Sequence, residues 1–343
     1  MKSLLFHTDA TPLQIEAVRR DLMSAGAAGV TMLRDGARVV MVIDDPSEAI
    51  PLDAYRSAPG VESAMTAATK NVHARGGEDD GSYDSGIRGL TIIAGPCGIE
   101  SEEQVTTIFG RMASEGLRYV RAGAYKPRTS PHDYQGPGKE GLVMAAEIAH
   151  DYGLELVSEV VDPRDVEYAS RFISMIQIGT RSMQNFPLLK EAGASGLPIL
   201  LKRGMSATVE EWIGAAEHAL NAGAAGIIFC ERGIRTFESI TRNTLDILGA
   251  VALKEQTRFR VIVDPSHAAG RRSLVTAGAL AAIAAGLDGL IVEVHHDPAS
   301  ARSDAAQALP LPLFSRLMEK VRLLHDTLST ADEIISDTST RRA

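Results

Sequence analysis

The run VIVDPSH, residues 261–267, joins an apolar stretch to a chemically loaded turn. Val261–Val263 is β-branched throughout, as in a strand buried on both faces. Asp264-Pro265 then ends it and presents Ser266 and His267. Upstream and downstream the same construction recurs. Thr91–Ala94 runs into Gly95-Pro96-Cys97, and Tyr119–Ala122 holds Arg121 and leads to Lys126-Pro127-Arg128-Thr129-Ser130. Glu155–Ser158 precedes Glu159, and Met175–Ile178 precedes Gly179-Thr180-Arg181. Ile199–Lys202 ends in Lys202-Arg203-Gly204, Gly226–Phe229 leads to Glu231-Arg232-Gly233, and Gly289–Val292 leads to Glu293-Val294-His295. Amphipathic or Ala-rich stretches such as Glu102–Glu115, Val209–Ala222 and Phe314–Thr327 separate these runs. Eight strand–helix units in about 240 residues match a (β/α)8 TIM barrel. A doubly wound sheet is the alternative, but it has fewer strands and one switch point, and it would scatter several of these groups. A barrel gathers them all on one face.

Composition bounds the rest. The chain has 343 residues, of which 45% are hydrophobic, 23% charged and only 5% aromatic, an ordinary soluble composition for one large domain plus a small appendage. Its formal net charge of -9 argues against a nucleic-acid partner while leaving room for a local basic cluster. Two cysteines, Cys97 and Cys230, make no disulfide framework and suit a reducing cytoplasm. Met1–His7 does not read as a signal peptide, and the apolar Leu274–Leu287 is shorter than the ~20 residues of a membrane span.

Residues 1–70 read as a small α+β unit of βαββαβ, ferredoxin-like layout. Its expected strands are Ser3–His7, Gly29–Leu33, Ala37–Ile43 and Val61–Met65, with a helix at Thr11–Met23 and a second, short helix before the last strand. Residues 71–88 are rich in Gly, Asp and Glu and read as a linker, 89–328 as the barrel, and 329–343 as a flexible tail.

Two chemical subsets lie at the expected barrel mouth. Arg121, Lys126, Arg128, Arg181, Lys202 and Arg232 are cations that would repel one another unless anions lay between them. Any one arginine could be a surface ion pair; the set as a whole asks for phosphates and a carboxylate. Cys97, His267, Glu293 and Asp304 form the second subset, a mixed S/N/O divalent site. Singly, Cys97 reads as a small buried hydrophobe, His267 as a hydrogen-bonder and Asp304 as a loop carboxylate, and no local CxxC or HExxH pattern joins them.

In order along the chain, AGPC (94–97), RAGAYKPRTSP (121–131), QIGTRSMQNF (177–186), LLKRG (200–204), CERGIRTF (230–237), DPSHAAGRR (264–272) and IVEVH with the later Ser303-Asp304 resemble the metal-dependent type I 3-deoxy-D-arabino-heptulosonate 7-phosphate (DAHP) synthases. The matching subgroup carries an N-terminal ferredoxin-like regulatory domain. The resemblance implies Cys97, His267, Glu293 and Asp304 as ligands of a divalent metal, Mn2+ first, with Fe2+, Co2+ or Zn2+ as alternatives. It implies Arg121, Lys126, Arg181, Lys202 and Arg232 around phosphoenolpyruvate, and Lys126, Pro127, Arg128, Thr129 and Asp264 around erythrose 4-phosphate. Lys126, His267 and Glu159 are the candidate catalytic groups. Thr180 departs from the family motif, which commonly has Ala there, and the N-terminal unit matches in layout more than in sequence.

The implied activity is condensation of phosphoenolpyruvate with erythrose 4-phosphate and water, the first step of the shikimate pathway, in the cytoplasm. The nearest alternative is 3-deoxy-D-manno-octulosonate 8-phosphate synthase, or a paralogue using another aldose. KPRTS at 126–130 separates them, because the rival has an Ala-Asn-Arg-Ser type sequence after its lysine. A homo-oligomer, dimer or tetramer, is expected, with a chorismate mutase as a candidate partner of the N-terminal unit.

Overall fold

A computed structural model describes residues 2–35, 38–45, 50–65, 73–74, 89–126, 130 and 132–340. The chain forms two compact units, one of Met1–Glu78 with Gln256–Arg258 and the other of Asp79–Glu255 with Phe259–Ala343.

In the smaller unit, β1 (Lys2–Phe6), α1 (Pro12–Ser24), β2 (Gly29–Asp35), β3 (Arg38–Asp44) and β4 (Val61–Met65) build an antiparallel sheet in the order β2-β3-β1-β4. Thr11 and Gln14 start α1 with a reciprocal capping box, and Pro12 takes the first helical position, where its missing N–H costs nothing. Ile15, Val18 and Leu22 face the sheet and bury against Leu4, Phe6, Met41 and Ile43. Between β3 and β4, the expected second helix reduces among the described residues to a 3-10 turn at Leu52–Tyr55. A one-turn element holds too few residues to repay helix nucleation. Most of the expected linker at 71–88 lies outside the described residues.

The larger unit is a closed parallel barrel. Its strands are β5 (Thr91–Gly95), β6 (Tyr119–Arg121), β7 (Glu155–Glu159), β8 (Met175–Ile178), β9 (Ile199–Lys202), β10 (Ile227–Glu231), β11 (Arg260–Val263) and β12 (Gly289–His295). They pair in sequence order, β5 also pairs β12, and β11–β12 pairing closes the ring, which excludes the doubly wound alternative. A two-residue strand, Leu309–Pro310, pairs parallel beside the end of β12 and was not expected from the sequence. The C-terminal helix runs Leu311–Thr340, so among the described residues it continues into the segment read as a tail from residue 329. Regular apolar spacing fades there and Ser, Thr and Asp dominate, which is why the sequence alone reads as a tail.

Inside the ring, Ile93, Tyr119, Val157, Met175, Leu200, Ile228, Cys230, Ile262 and Ile291 form one apolar layer, with a contribution from every strand. Outward-facing positions take the helices: Phe229 meets Trp212 edge-on at 5.2 Å, and Trp212 also donates its indole N–H to the Leu201 carbonyl. Alternation along a strand turns every second residue inward. Two residues beyond the apolar layer, the inward positions are therefore Gly95, Arg121, Glu159, Gln177, Lys202, Arg232, Asp264 and Glu293. The site is the barrel's next layer up.

Candidate active site

Gly95 shows why one position in that layer must lack a side chain. A Cβ there would lie 2.1 Å from the Arg121 carbonyl oxygen, and its φ of 154° disfavours other residues. The chain then turns at Pro96 and delivers Cys97. On the short helix Pro265–Ala269, Asp264 is the N-cap and accepts the His267 backbone N–H at 2.9 Å, so the DPSH turn fixes the ring it carries.

Cys97 Sγ, one atom of His267, and one oxygen each from Glu293 and Asp304 lie within 4.8 Å of one another. Asp264 Oδ2 sits 2.7 Å from His267 Nδ1. A carboxylate only accepts, so Nδ1 carries the proton. Burial lowers the His267 pKa against the pull of Asp264 and Glu293, which favours the neutral ring. Nε2 is then a lone pair facing Glu293 Oε1 at 3.1 Å. Glu293 Oε1 is buried without a hydrogen-bond donor among the described residues. Two acceptors facing each other in a buried site fit a cation between them.

Burial opposes ionisation of Glu293 and Asp304, yet both carboxyls are held below their usual range. The protonated form of His267, with Arg121, does this for Glu293; the protonated form of His267, with the hydrogen bond from Cys97, does it for Asp304. Gln307 donates to Glu293 Oε2 at 2.7 Å, and Cys97 Sγ donates to Asp304 Oδ2 at 2.9 Å. Asp304 has a φ of 54°, the one left-handed non-glycine among the described residues, which marks a constrained position. Thiol, imidazole and two carboxylates together suit a borderline divalent ion.

A cavity opens beside this cluster. Arg121, Lys126, Arg181, Lys202, Arg232 and Arg242 line it, against the carboxylates Glu159 and Asp304, with His267, Gln177, Gly179, Thr180 and Met205. Six cations against two carboxylates leave a strong positive excess. The Arg121 Nε and Nη1 groups are buried without acceptors among the described residues, while Nη2 lies 3.5 Å from Glu293 Oε1. Unused guanidinium donors aimed into a positive cavity are an anion-binding arrangement. Lys126 Nζ donates to Cys97 Sγ and to the Cys97 carbonyl, each at 2.8 Å, and so spans both subsets.

The structure thus brings together Cys97, Arg121, Lys126, Glu159, Arg181, Lys202, Arg232, His267, Glu293 and Asp304. Asp264 does not join the cavity wall expected of an aldose contact. It is fully buried, with Oδ2 also accepting from Lys202 Nζ at 2.6 Å, so its carboxylate is consumed in orienting Lys202 and His267. Pro127, Arg128 and Thr129 lie outside the described residues. Arg242, which bonds Asp304 Oδ1 at 3.0 Å, was not anticipated; it sits in the long loop after β10, far from any strand end. Also unanticipated is the Arg203 guanidinium, which bridges Glu231 at 3.0 Å and Asp246 at 2.8 Å on the barrel's outer side. Arg203 and Glu231 flank Lys202 and Arg232, and anchoring them outward turns those neighbours inward.

Residues 83–328 match the DAHP synthetase I family. The chain belongs to that family. It is 44% identical over 250 residues to the phospho-2-dehydro-3-deoxyheptonate aldolase of Thermotoga maritima, covering 73% of this chain and 74% of the relative. A crystal structure of the Thermotoga maritima phospho-2-dehydro-3-deoxyheptonate aldolase (DAHP synthase) superposes with a TM-score of 0.72 at 37% identity, covering 95% of this chain and 98% of that one. A 2-dehydro-3-deoxyphosphooctonate aldolase of Acidithiobacillus ferrooxidans is more distant, 28% identical over 254 residues, with 68% and 87% covered. The family is metal-dependent, and the Cys97–His267–Glu293–Asp304 cluster can hold a metal ion. No helix among the described residues is long and apolar enough to cross a membrane.

Proposed function

We propose that the chain is a DAHP synthase, joining phosphoenolpyruvate, erythrose 4-phosphate and water into DAHP and inorganic phosphate at the head of the shikimate pathway. The observation that carries this reading is the positive cavity abutting a Cys/His/Glu/Asp cluster in a chain of this family. Arg121, Lys126, Arg181, Lys202 and Arg232 hold the carboxylate and phosphate of phosphoenolpyruvate. Lys126, Pro127, Arg128 and Thr129 take the aldose phosphate end. Holding both reactants at bonding distance removes much of the entropic barrier.

A divalent ion at Cys97, His267, Glu293 and Asp304, Mn2+ in our reading, with Fe2+, Co2+ or Zn2+ able to substitute, supplies Lewis acidity toward the aldehyde oxygen. C3 of phosphoenolpyruvate bonds to the aldehyde carbon, whose oxygen takes up a proton. Water then adds at C2 and releases a proton, and the C2–O bond to phosphate breaks. Glu159 offers a carboxylate at the cavity wall for the proton that water gives up, with Gln177 Nε2 donating to its Oε2 at 3.2 Å. His267 is committed at both ring nitrogens, and Lys126 holds the charge between cysteine and cavity.

Glu159 can be tested without touching it. A Cβ on Gly179 would lie 1.9 Å from Glu159 Oε1, so Gly179→Ala must displace that carboxylate while its own backbone tolerates alanine. Turnover is expected to fall by about tenfold or more, part of the 10²–10⁴ that acid–base groups contribute. Thermal melting should change little, and wild-type kcat in a folded Gly179→Ala protein would remove Glu159 from the reaction.

The substrate assignment is tested by kcat/KM for erythrose 4-phosphate and arabinose 5-phosphate with phosphoenolpyruvate in excess. The four-carbon aldose should be preferred, and the reverse preference would move the chain's activity to the octulosonate class. We further propose a cytoplasmic homo-oligomer in which the N-terminal unit, residues 1–70, contributes contacts between copies. A chorismate mutase is a candidate partner for the same unit.

A further inference from the structure

Asp304 is the one member of the metal cluster that stands neither at a strand end nor in the turn directly after one. The chain leaves β12 at His295, turns at Asp297–Ser300, and returns to the site at Asp304 with a left-handed φ of 54°. What holds this excursion therefore decides where the Asp304 carboxylate lies. At its end, the Arg302 backbone N–H donates to Glu100 Oε1 at 2.8 Å. At its start, His295 Nδ1 accepts the Asp297 backbone N–H at 3.1 Å, which leaves the ring proton on Nε2, 3.5 Å from Glu100 Oε2. One oxygen of the carboxylate thus hydrogen-bonds the end of the loop, and the other lies beside the ring at its start.

Glu100 itself stands just beyond Cys97. Its own N–H donates to Gln104 Oε1 at 2.9 Å, and Gln104 Nε2 donates back to the Gly98 carbonyl at 3.3 Å, so the Cys97 turn is fixed to the start of α2 (Glu102–Ser114). A second fastening runs parallel: the Arg302 guanidinium lies 3.9 Å from the centre of the Tyr134 ring, whose hydroxyl donates to the Ile99 carbonyl. Both fastenings tie the Asp304 loop to the residues that follow Cys97.

We propose that Glu100 is a positioning residue of the metal site, joining the loop that presents Asp304 to the turn that presents Cys97, with the Arg302–Tyr134 stack as an auxiliary tie. The proposal rests on the metal reading of the Cys97–His267–Glu293–Asp304 cluster. Glu100 holds no metal itself; it lowers the freedom of two ligands before the ion arrives, the usual work of groups behind a ligand shell.

The test is Mn2+ affinity, read by competition with a chelating fluorescent indicator on chelator-stripped protein, with circular dichroism as a check on folding. Glu100→Ala should raise the Mn2+ Kd about 10- to 100-fold. Glu100→Gln keeps an acceptor for the Arg302 N–H and should lose less. Arg302→Ala removes only the ring contact of an exposed side chain and should cost about two- to fivefold. Wild-type affinity in folded Glu100→Ala would overturn the proposal. If Glu100→Ala does not fold, unchanged affinity in both Glu100→Gln and Arg302→Ala overturns it. Cys97→Ser separates the two levels. Loss of binding there with none in the Glu100 and Arg302 variants defeats this inference alone, whereas a wild-type protein that binds no Mn2+ defeats the metal reading as well.

Discussion

Lys126→Met is expected to lower kcat by about 10²–10³, the scale of losing one charge that stabilises a reacting anion in a closed site. Methionine keeps the length of the stem and removes the ammonium, so the protein should fold and melt near the wild type. The argument starts from position. Nζ lies 2.8 Å from Cys97 Sγ and lines the cavity, so the ammonium stands between the cysteine and the bound anions. Burial alone would discharge the lysine, but the ionised form of Cys97, with the Glu159 and Glu293 carboxylates, holds its pKa above the ordinary value. The ammonium therefore persists through the neutral and mildly basic range, and the basic limb of a pH–rate profile should not come from Lys126. Wild-type kcat in Lys126→Met, measured at saturating phosphoenolpyruvate and aldose, would place the lysine outside the reaction.

Cys97→Ser is expected to weaken Mn2+ binding by at least about 100-fold, beyond what loss of a supporting group costs. The pH dependence gives a sharper signature. Burial pushes the Cys97 thiol up to about 12, with Glu293 and Asp304 adding to the rise and Lys126 opposing it. A raised pKa means that the metal-free protein holds the proton at neutral pH, and only the thiolate ligates. Binding must therefore expel a proton, so wild-type affinity should rise with pH, by at most about tenfold per unit from this group. Serine has no such proton to lose near neutrality, so the slope should flatten in Cys97→Ser. Calorimetric titrations in buffers of different ionisation enthalpy would count the proton directly. Equal proton release by wild type and variant would show that Cys97 is not the ligand that ionises.

Much of this was legible in the sequence because a parallel barrel writes its site into a repeating phrase. Each apolar run, such as Val261–Val263, ends at a polar group, and alternation carries that group inward one layer above the apolar ring formed by residues such as Ile262 and Ile291. Hence Arg121, Glu159, Lys202, Arg232 and Glu293 could be found from strand ends alone. Residues that act from loops could not. Arg242 reaches Asp304 across a long connection, and Gln307 reaches Glu293 from beyond the last strand; neither has a periodic signal. Asp264 was found at a strand end, but the sequence does not show that Lys202 and His267 already engage its carboxylate. The second helix of the N-terminal unit was expected from the layout, where the described chain has a 3-10 turn.

The most direct test follows DAHP and inorganic phosphate together, from phosphoenolpyruvate and erythrose 4-phosphate, with protein stripped of metal and then reloaded. The account predicts no turnover in the stripped protein and recovery on adding Mn2+. After recovery, one DAHP and one phosphate should appear for each phosphoenolpyruvate consumed. Full turnover in a sample shown to be free of metal, or no DAHP from the folded, reloaded protein, would contradict it.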